Sequence, residues 1–274
     1  IRVWSYIVPN CGFIKRTLDY ISFSITAFIA GLFIKTDIII ATSPQFFVAL
    51  TGRALSRVKR HPWIMEVRDL WPESIKTVGA MNDNVIIRYF EWQEKRCYNS
   101  ATKIIVVTDS FKRTLINRGI NSNKIEVIKN GVNTTLFTPR EKDQILLNSL
   151  NLKGKKVIGY IGTHGLAHKL DFVLNFAKSL ESYKDIHFLL IGDGATKAQL
   201  LKLKEDLKCK NVTMLPSVSK NEVARYISIL DVCLINLKKS QLFKTVIPSK
   251  IFENAGMQKP ILMGVEGEAK DIIE

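Results

Sequence analysis

The sequence is poor in the features of disulfide-bonded, metal-bound or membrane-spanning chains. Its four cysteines, Cys11, Cys97, Cys209 and Cys233, are scattered, with no C-x-x-C and no histidine at ligand spacing. That excludes a disulfide framework and a structural zinc, and it fits a reducing compartment. The apolar segment ISFSITAFIAGLFI (21–34) has 14 residues, short of the roughly 20 needed to span a bilayer. Lys35 and Asp37 close it and IIIATS follows as a strand, so a buried or interfacial helix is expected. No block of five or six like charges occurs, which weakens a nucleic-acid tail, and there is no short-period repeat or low-complexity segment. No signal peptide is visible. The chain begins without Met in a β-like run, IRVWSYIVP.

What is present is globular. At 274 residues, with 46% hydrophobic and 24% charged side chains, the chain is long enough for about two domains, each with its own core. The net charge of +15 is spread out: residues 1–138 hold 19 Lys+Arg against 10 Asp+Glu. Such basicity suits a surface held against anionic lipid or a cleft for phosphorylated ligands. A merely basic enzyme is the plainer alternative.

Short apolar runs alternate with longer amphipathic ones. DIIIATS, PWIMEVRDLW, KIIVVTD and KIEVIKNG read as strands, with helices QFFVALTGRALSRVK, NVIIRYFEWQEKRCYNSA and SFKRTLINRG between them. Near-continuous apolar strands separated by helices mark a parallel α/β sheet. The helix at 110–119 has Ser110 and Gly119 as expected caps. Residues 139–155 are turn-rich and polar, and predict a linker between a domain at 1–138 and one at 156–274. The second series then runs KVIGYIGTHG, IHFLLIGDG, NVTMLPSV and DVCLINL with helices between. Two doubly wound domains in tandem are expected to turn their strand ends toward one cleft.

The stretch IPSKIFENAGMQKP carries the most chemistry. Pro248 suits a first helical turn. Free N–H groups at Ser249 and Lys250, the helix dipole and the Lys250 ammonium together make an anion site. Glu253, one turn along, can accept two vicinal hydroxyl protons, so phosphate and ribose would fit in that order. An exposed Lys–Glu pair explains the same residues equally well. GYIGTHG follows a strand and opens a helix, so the backbone at Gly162, Thr163, His164 and Gly165 can approach a phosphate. His164 is either part of that turn's chemistry or a structural histidine. Gly192 belongs to a second strand-end glycine pair, IGDG. Arg68 and Asp69 end a strand; Asp69 is either a loop cap or a direct participant. Trp63, Trp71 and Trp92 read as core or interface anchors.

EVRDLWPES (66–74), VIKNGVNTTLF (127–137), GYIGTHGLAHKLD (159–171), IGDG (191–194) and PSKIFE (248–253), in this order, resemble the GT-B glycosyltransferases of family 4, the group 1 transferases. They are most similar to the bacterial branch related to fucosamine transferases of O-antigen and capsule assembly. The resemblance implies two Rossmann-like domains, the first for the acceptor and the second for the donor. It implies transfer, with retention, of an N-acetylated amino sugar from a UDP-sugar to a lipid-linked saccharide. The leaving diphosphate would help to deprotonate the acceptor. It implies no metal and no cofactor, and a cytoplasmic protein docked peripherally on the inner face of the bacterial membrane. Glu253 matches the glutamate that holds the ribose. Where many members have a first glutamate, an Arg and a Lys, this chain has Thr245, Thr163 and His168, so Lys250 is the expected diphosphate cation. Arg68 and Asp69 stand at the place where relatives often carry a histidine of the catalytic region. Both ends of the family pattern fall outside the sequence, so the chain reads as a fragment. A UDP-sugar 2-epimerase of the same fold and a basic nucleic-acid-binding module are the rival readings; the latter lacks any nucleic-acid motif.

Overall fold

The computed structural model describes residues 1–8, 13–43, 46–79 and 84–274. Cys11, and Gln45 at the head of the second predicted helix, lie outside these. The chain forms two compact units, Ile1–Lys129 and Asn130–Glu274.

The first unit contains α1 (Phe13–Phe33), β1 (Ile39–Thr42), α2 (Phe46–Lys59), β2 (Trp63–Val67), α3 (Glu73–Val78), α4 (Val85–Ser100), β3 (Lys103–Val106), α5 (Asp109–Asn117) and β4 (Ile125–Val127). Its four strands lie in chain order, β1-β2-β3-β4, all parallel. That order follows from the helical segments between successive strands, which return the chain to the same end of the sheet. Trp63, Met65 and Val67 of β2 are buried on one face, with Ile104 and Val106 of β3 beside them.

Three expectations change here. The run 1–8 is not a strand; Tyr6 N–H donates to Ser22 Oγ at 2.9 Å and Thr26 Oγ1 donates to the Trp4 carbonyl at 2.6 Å, so it lies along α1 instead of the sheet. The predicted apolar helix starts at Phe13 and so takes in Lys15, Arg16 and Asp19. Among the described residues no helix is long and apolar enough to cross a membrane. α1 packs on α2 while Leu18, Ile25, Ile29 and Phe33 stay exposed. The carbonyls of Gly31 and Leu32 at its end, and of Ile34 just beyond it, accept from Lys59 Nζ. Finally, α5 is capped by Thr108, whose hydroxyl accepts the Phe111 N–H, instead of by Ser110. Gly119 follows the helix at φ 83°.

The second unit contains α6 (Gln144–Ser149), β5 (Lys156–Ile161), α7 (Leu170–Ser179), β6 (Ile186–Ile191), α8 (Lys197–Asp206), β7 (Val212–Leu215), α9 (Lys220–Ser228), β8 (Val232–Asn236), α10 (Lys250–Gly256), β9 (Ile261–Gly264) and α11 (Glu268–Ile273). Its parallel sheet has the doubly wound order β7-β6-β5-β8-β9. β6 shows why its sequence is apolar throughout. Leu189 and Ile191 enter the core on one face, with Val157, Ile227 and Leu230. Phe188 and Leu190 enter the core on the other, with Leu170, Leu174 and Leu200. A strand covered on both sides has no solvent face to mark with polar residues.

The predicted linker 139–155 is folded into this unit. Asp143 caps α6 through the Leu146 N–H, and Phe137, Leu146, Leu147 and Leu152 are buried in the first of those cores. The polar turns of 139–155 hid three apolar anchors, Leu146, Leu147 and Leu152, spaced too irregularly to read as an element. Cys97, Cys209 and Cys233 are buried free thiols.

Candidate nucleotide site

The strand order of the second unit reverses at β5, the central strand, which pairs with β6 on one side and with β8 on the other. The crevice outside the carboxyl ends of such a pair is where doubly wound sheets hold ligands. Two glycine turns and α10 meet at this point.

The turn after β5 and the turn after β6 are laced together. Gly162 N–H donates to the Ile191 carbonyl at 2.8 Å, His164 N–H to the Asp193 carbonyl at 2.9 Å, and Thr196 Oγ1 to the His164 carbonyl at 2.7 Å. Gly192 has φ 148°, and a Cβ there would lie 1.8 Å from the Gly162 carbonyl oxygen. Only glycine lets the two backbones approach so closely. Gly194 and Gly165 continue the paired turns, and the Thr163 carbonyl accepts from Tyr160 Oη at 2.8 Å.

Lys250 opens α10 and reaches back to β5. Its Nζ donates to Tyr160 Oη at 2.8 Å and stands 4.0 Å from the centre of the Tyr160 ring. It also occupies the space that a Gly162 side chain would need: a Cβ there would meet Lys250 Cε at 2.3 Å and Nζ at 2.4 Å. Burial pushes the Lys250 ammonium down to about 8, against the opposing pull of Glu253. Glu253 is half-buried, and burial raises its carboxyl, with Lys220 and Lys250 working the other way. Pro248 and Ser249 lie just before α10, and the Pro248 carbonyl accepts the Ile251 N–H at 3.1 Å. The helix therefore starts two residues after the proline. It is only seven residues long, so the Lys250 side chain, more than the dipole, supplies positive charge.

The two histidines are neutral at pH 7. Burial, then Lys197 and Lys250, lower the fully buried His164 to about 4, and its ring nitrogens find no hydrogen-bond partner of full geometry. Burial, then Lys250, lower His168 to about 4 as well. His164 thus packs beneath the paired turns as an uncharged ring.

Two site residues carried no signal in the sequence. Tyr160 read as one more apolar strand position, and it positions Lys250. Lys197, at the start of α8, donates to the carbonyls of Gly192 and Leu215 at 3.0 and 2.6 Å and so ties down the second glycine turn.

Arg68 and Asp69 belong to the first unit, in the turn after β2. Arg68 is exposed and 3.9 Å from Glu66. Burial raises the Asp69 carboxyl, opposed by hydrogen bonds from the Ser74 side chain and the Leu70 backbone. Asp69 stands just before the turn that leads into α3.

Residues 2–136 match the family model Glycosyltransferase Family 4, and residues 142–274 match Glycosyl transferases group 1. The probable glycosyltransferase WbjE of Pseudomonas aeruginosa is 22% identical over 238 residues, covering 86% of this chain and 59% of its own length. The putative teichuronic acid biosynthesis glycosyltransferase TuaH of Bacillus subtilis (strain 168) is 26% identical over 204 residues, 73% of this chain and 49% of its own length. The chain thus spans about half to three-fifths of these curated relatives. Anabaena HepE, solved in complex with UDP-glucose, superposes with a TM-score of 0.71 at 16% identity, over 96% of this chain and 68% of HepE.

Proposed function

From the premise that this chain belongs to the GT-B group 1 glycosyltransferases, with one family model on each of its units, we propose that its second unit binds a UDP-sugar. The whole protein then transfers the sugar, an N-acetylated amino sugar, onto a lipid-linked saccharide in bacterial surface-polysaccharide assembly. The UDP-glucose bound to HepE and the polysaccharide-related name of TuaH support donor class and setting. The fucosamine-transferase branch remains our assignment within the family.

One observation carries this reading. Lys250 is held against the Gly162 backbone and the Tyr160 hydroxyl at the β5–β8 switch point, beside the glycine turn that follows β5. A diphosphate there meets an ammonium already stripped of much of its water, so their attraction is stronger than at a surface. Glu253 lies one turn along α10; its backbone is bonded within the helix, while its half-buried carboxyl can accept from ribose hydroxyls. As the glycosidic bond breaks, charge grows on the outer phosphate. A preorganised cation stabilises that state more than the ground state. We assign no metal to this step. With retention of configuration, the departing diphosphate takes up the acceptor proton. Arg68 and Asp69 are assigned to the acceptor side.

The test is transfer by the whole protein. Lys250→Ala is expected to depress kcat more than UDP binding, with His168→Ala close to wild type because that ring is already neutral. Loss of turnover in His168→Ala with an active Lys250→Ala would overturn the assignment.

A further inference from the structure

The helical side of the first unit gathers guanidinium groups that the nucleotide site does not use. Arg53 of α2 is 7% exposed. Its Nη1 donates to Gln93 Oε1 of α4 at 3.3 Å, and its buried Nε donates to no protein atom. Arg57 stands one turn on from Arg53, and Arg96 three residues on from Gln93, so each is a helix-surface neighbour of that bonded pair. We propose that Arg53, Arg57 and Arg96 form an anion site between α2 and α4 for a phosphomonoester, carried by a lipid headgroup or by a soluble phosphate. The site stands independently of the nucleotide reading.

A buried guanidinium is ordinarily matched by a carboxylate or by a full set of acceptors. Arg53 has the Gln93 oxygen and the Cys97 thiol. Burial first, then Arg57 and Arg96, hold it below its usual range, with Cys97 working the other way. Arg57 also acts on the Cys97 thiol, which sets both α2 arginines against the same stretch of α4. Among the described residues neither Arg57 nor Arg96 has an ion pair. The Arg96 guanidinium lies 4.3 Å from the centre of the Trp92 ring, and an aromatic face attracts a cation without neutralising it. The carboxylates of α4 are committed elsewhere: Glu91 to Lys76, and Glu94 to Tyr98 and Arg118. Three positive charges thus meet without a carboxylate partner, an arrangement that concentrates an anion.

Place and shape name the ligand. α2 and α4 each lead from the carboxyl end of one parallel strand to the amino end of the next, and Arg57 and Arg96 lie in their second halves. The cluster is therefore displaced toward the amino ends of the strands, away from the carboxyl ends where Arg68 and Asp69 stand and where such sheets hold their ligands. Guanidinium forks match phosphate oxygens in pairs. A phosphomonoester offers three oxygens and about two negative charges to the three forks, whereas a carboxylate offers two oxygens and one charge. Gln93, whose amide also donates to Tyr89 Oη at 2.8 Å, holds Arg53 in place without supplying charge.

The experiment titrates this chain at pH 7 and fixed ionic strength with glycerol 3-phosphate, by calorimetry, and with phosphatidylcholine vesicles containing phosphatidic acid, by sedimentation. The two probes share a phosphomonoester, and only the second presents it on a membrane. Arg57→Gln with Arg96→Gln alters exposed side chains and should weaken binding at least about tenfold, the worth of one charge-assisted contact. The charge-matched Lys35→Gln with Lys95→Gln, in the same unit and with Lys95 adjacent to Arg96, should stay within about twofold of wild type. A loss confined to glycerol 3-phosphate assigns the site to a soluble phosphate, and a loss seen with the vesicles assigns it to a lipid headgroup. Three results overturn the site: neither probe binds, the arginine double variant binds both as wild type does, or the lysine pair costs as much as the arginine pair, since diffuse charge would then hold the ligand.

Discussion

If Lys250 is the diphosphate cation, UDP affinity must fall as the pH rises through its titration. Burial sets its folded value at about 8, against an ordinary lysine near 10.4. In the free protein the ammonium form outnumbers the amine about ten to one at pH 7 and is outnumbered about ten to one at pH 9. Since UDP prefers the ammonium, its apparent Kd should rise about tenfold between these pH values. Binding should also take up close to three-quarters of a proton at pH 8.5, read as a heat that varies with the buffer's ionisation enthalpy.

The neighbours do not mimic this signal. His164 and His168 have lost their protons well below pH 7, burial pushes the Tyr160 phenol far up, and Glu253, though raised, is a carboxyl. Lys197 also titrates below its usual range, but its ammonium is committed to two backbone carbonyls. Lys250→Arg, charged at every pH tested, should bind with a flat profile, and Lys250→Gln should bind weakly with a flat one. A flat wild-type profile from pH 7 to 9.5, with Lys250→Gln binding as tightly as wild type, would refute the reasoning.

Three further outcomes are expected. Gly162→Ala places a methyl group where Lys250 ends at a φ of 147°, so UDP affinity should drop about tenfold by binding assay and stability by roughly 1–3 kcal/mol; Gly192→Ala, which strikes the Gly162 carbonyl instead of a movable side chain, should lower the melting temperature more. Glu253→Ala removes charge-assisted bonds worth about 1.5–3 kcal/mol each, so kcat/KM for the donor should fall at least about tenfold; wild-type kinetics would remove Glu253 from the ribose. The exposed Leu18, Ile25, Ile29 and Phe33 of α1, with the basic surplus of the first 138 residues, support peripheral docking on anionic lipid; vesicle sedimentation should show binding that weakens with salt, and equal binding to neutral vesicles would point to apolar insertion alone.

Much of this was legible in the sequence because local physics dictates it. Runs such as IHFLLI must be covered on both faces, and helical segments between such runs leave a parallel sheet as the outcome. The glycines of GYIGTHG and IGDG announced tight turns at strand ends, and Lys250 with Glu253 announced a charged helix start. Other features came only from tertiary structure. Tyr160 and Lys250 are 90 positions apart in the hydrogen bond that orients the ammonium, and no window of sequence contains both. The same packing withdraws water from Lys250, His164 and His168, so their titration is set by burial that composition cannot reveal. Residues 139–155 looked like a linker because their polar turns outnumber the three anchors, Leu146, Leu147 and Leu152, that bury them. Elements follow from neighbours in the chain; the charge state and company of a side chain follow from neighbours in space.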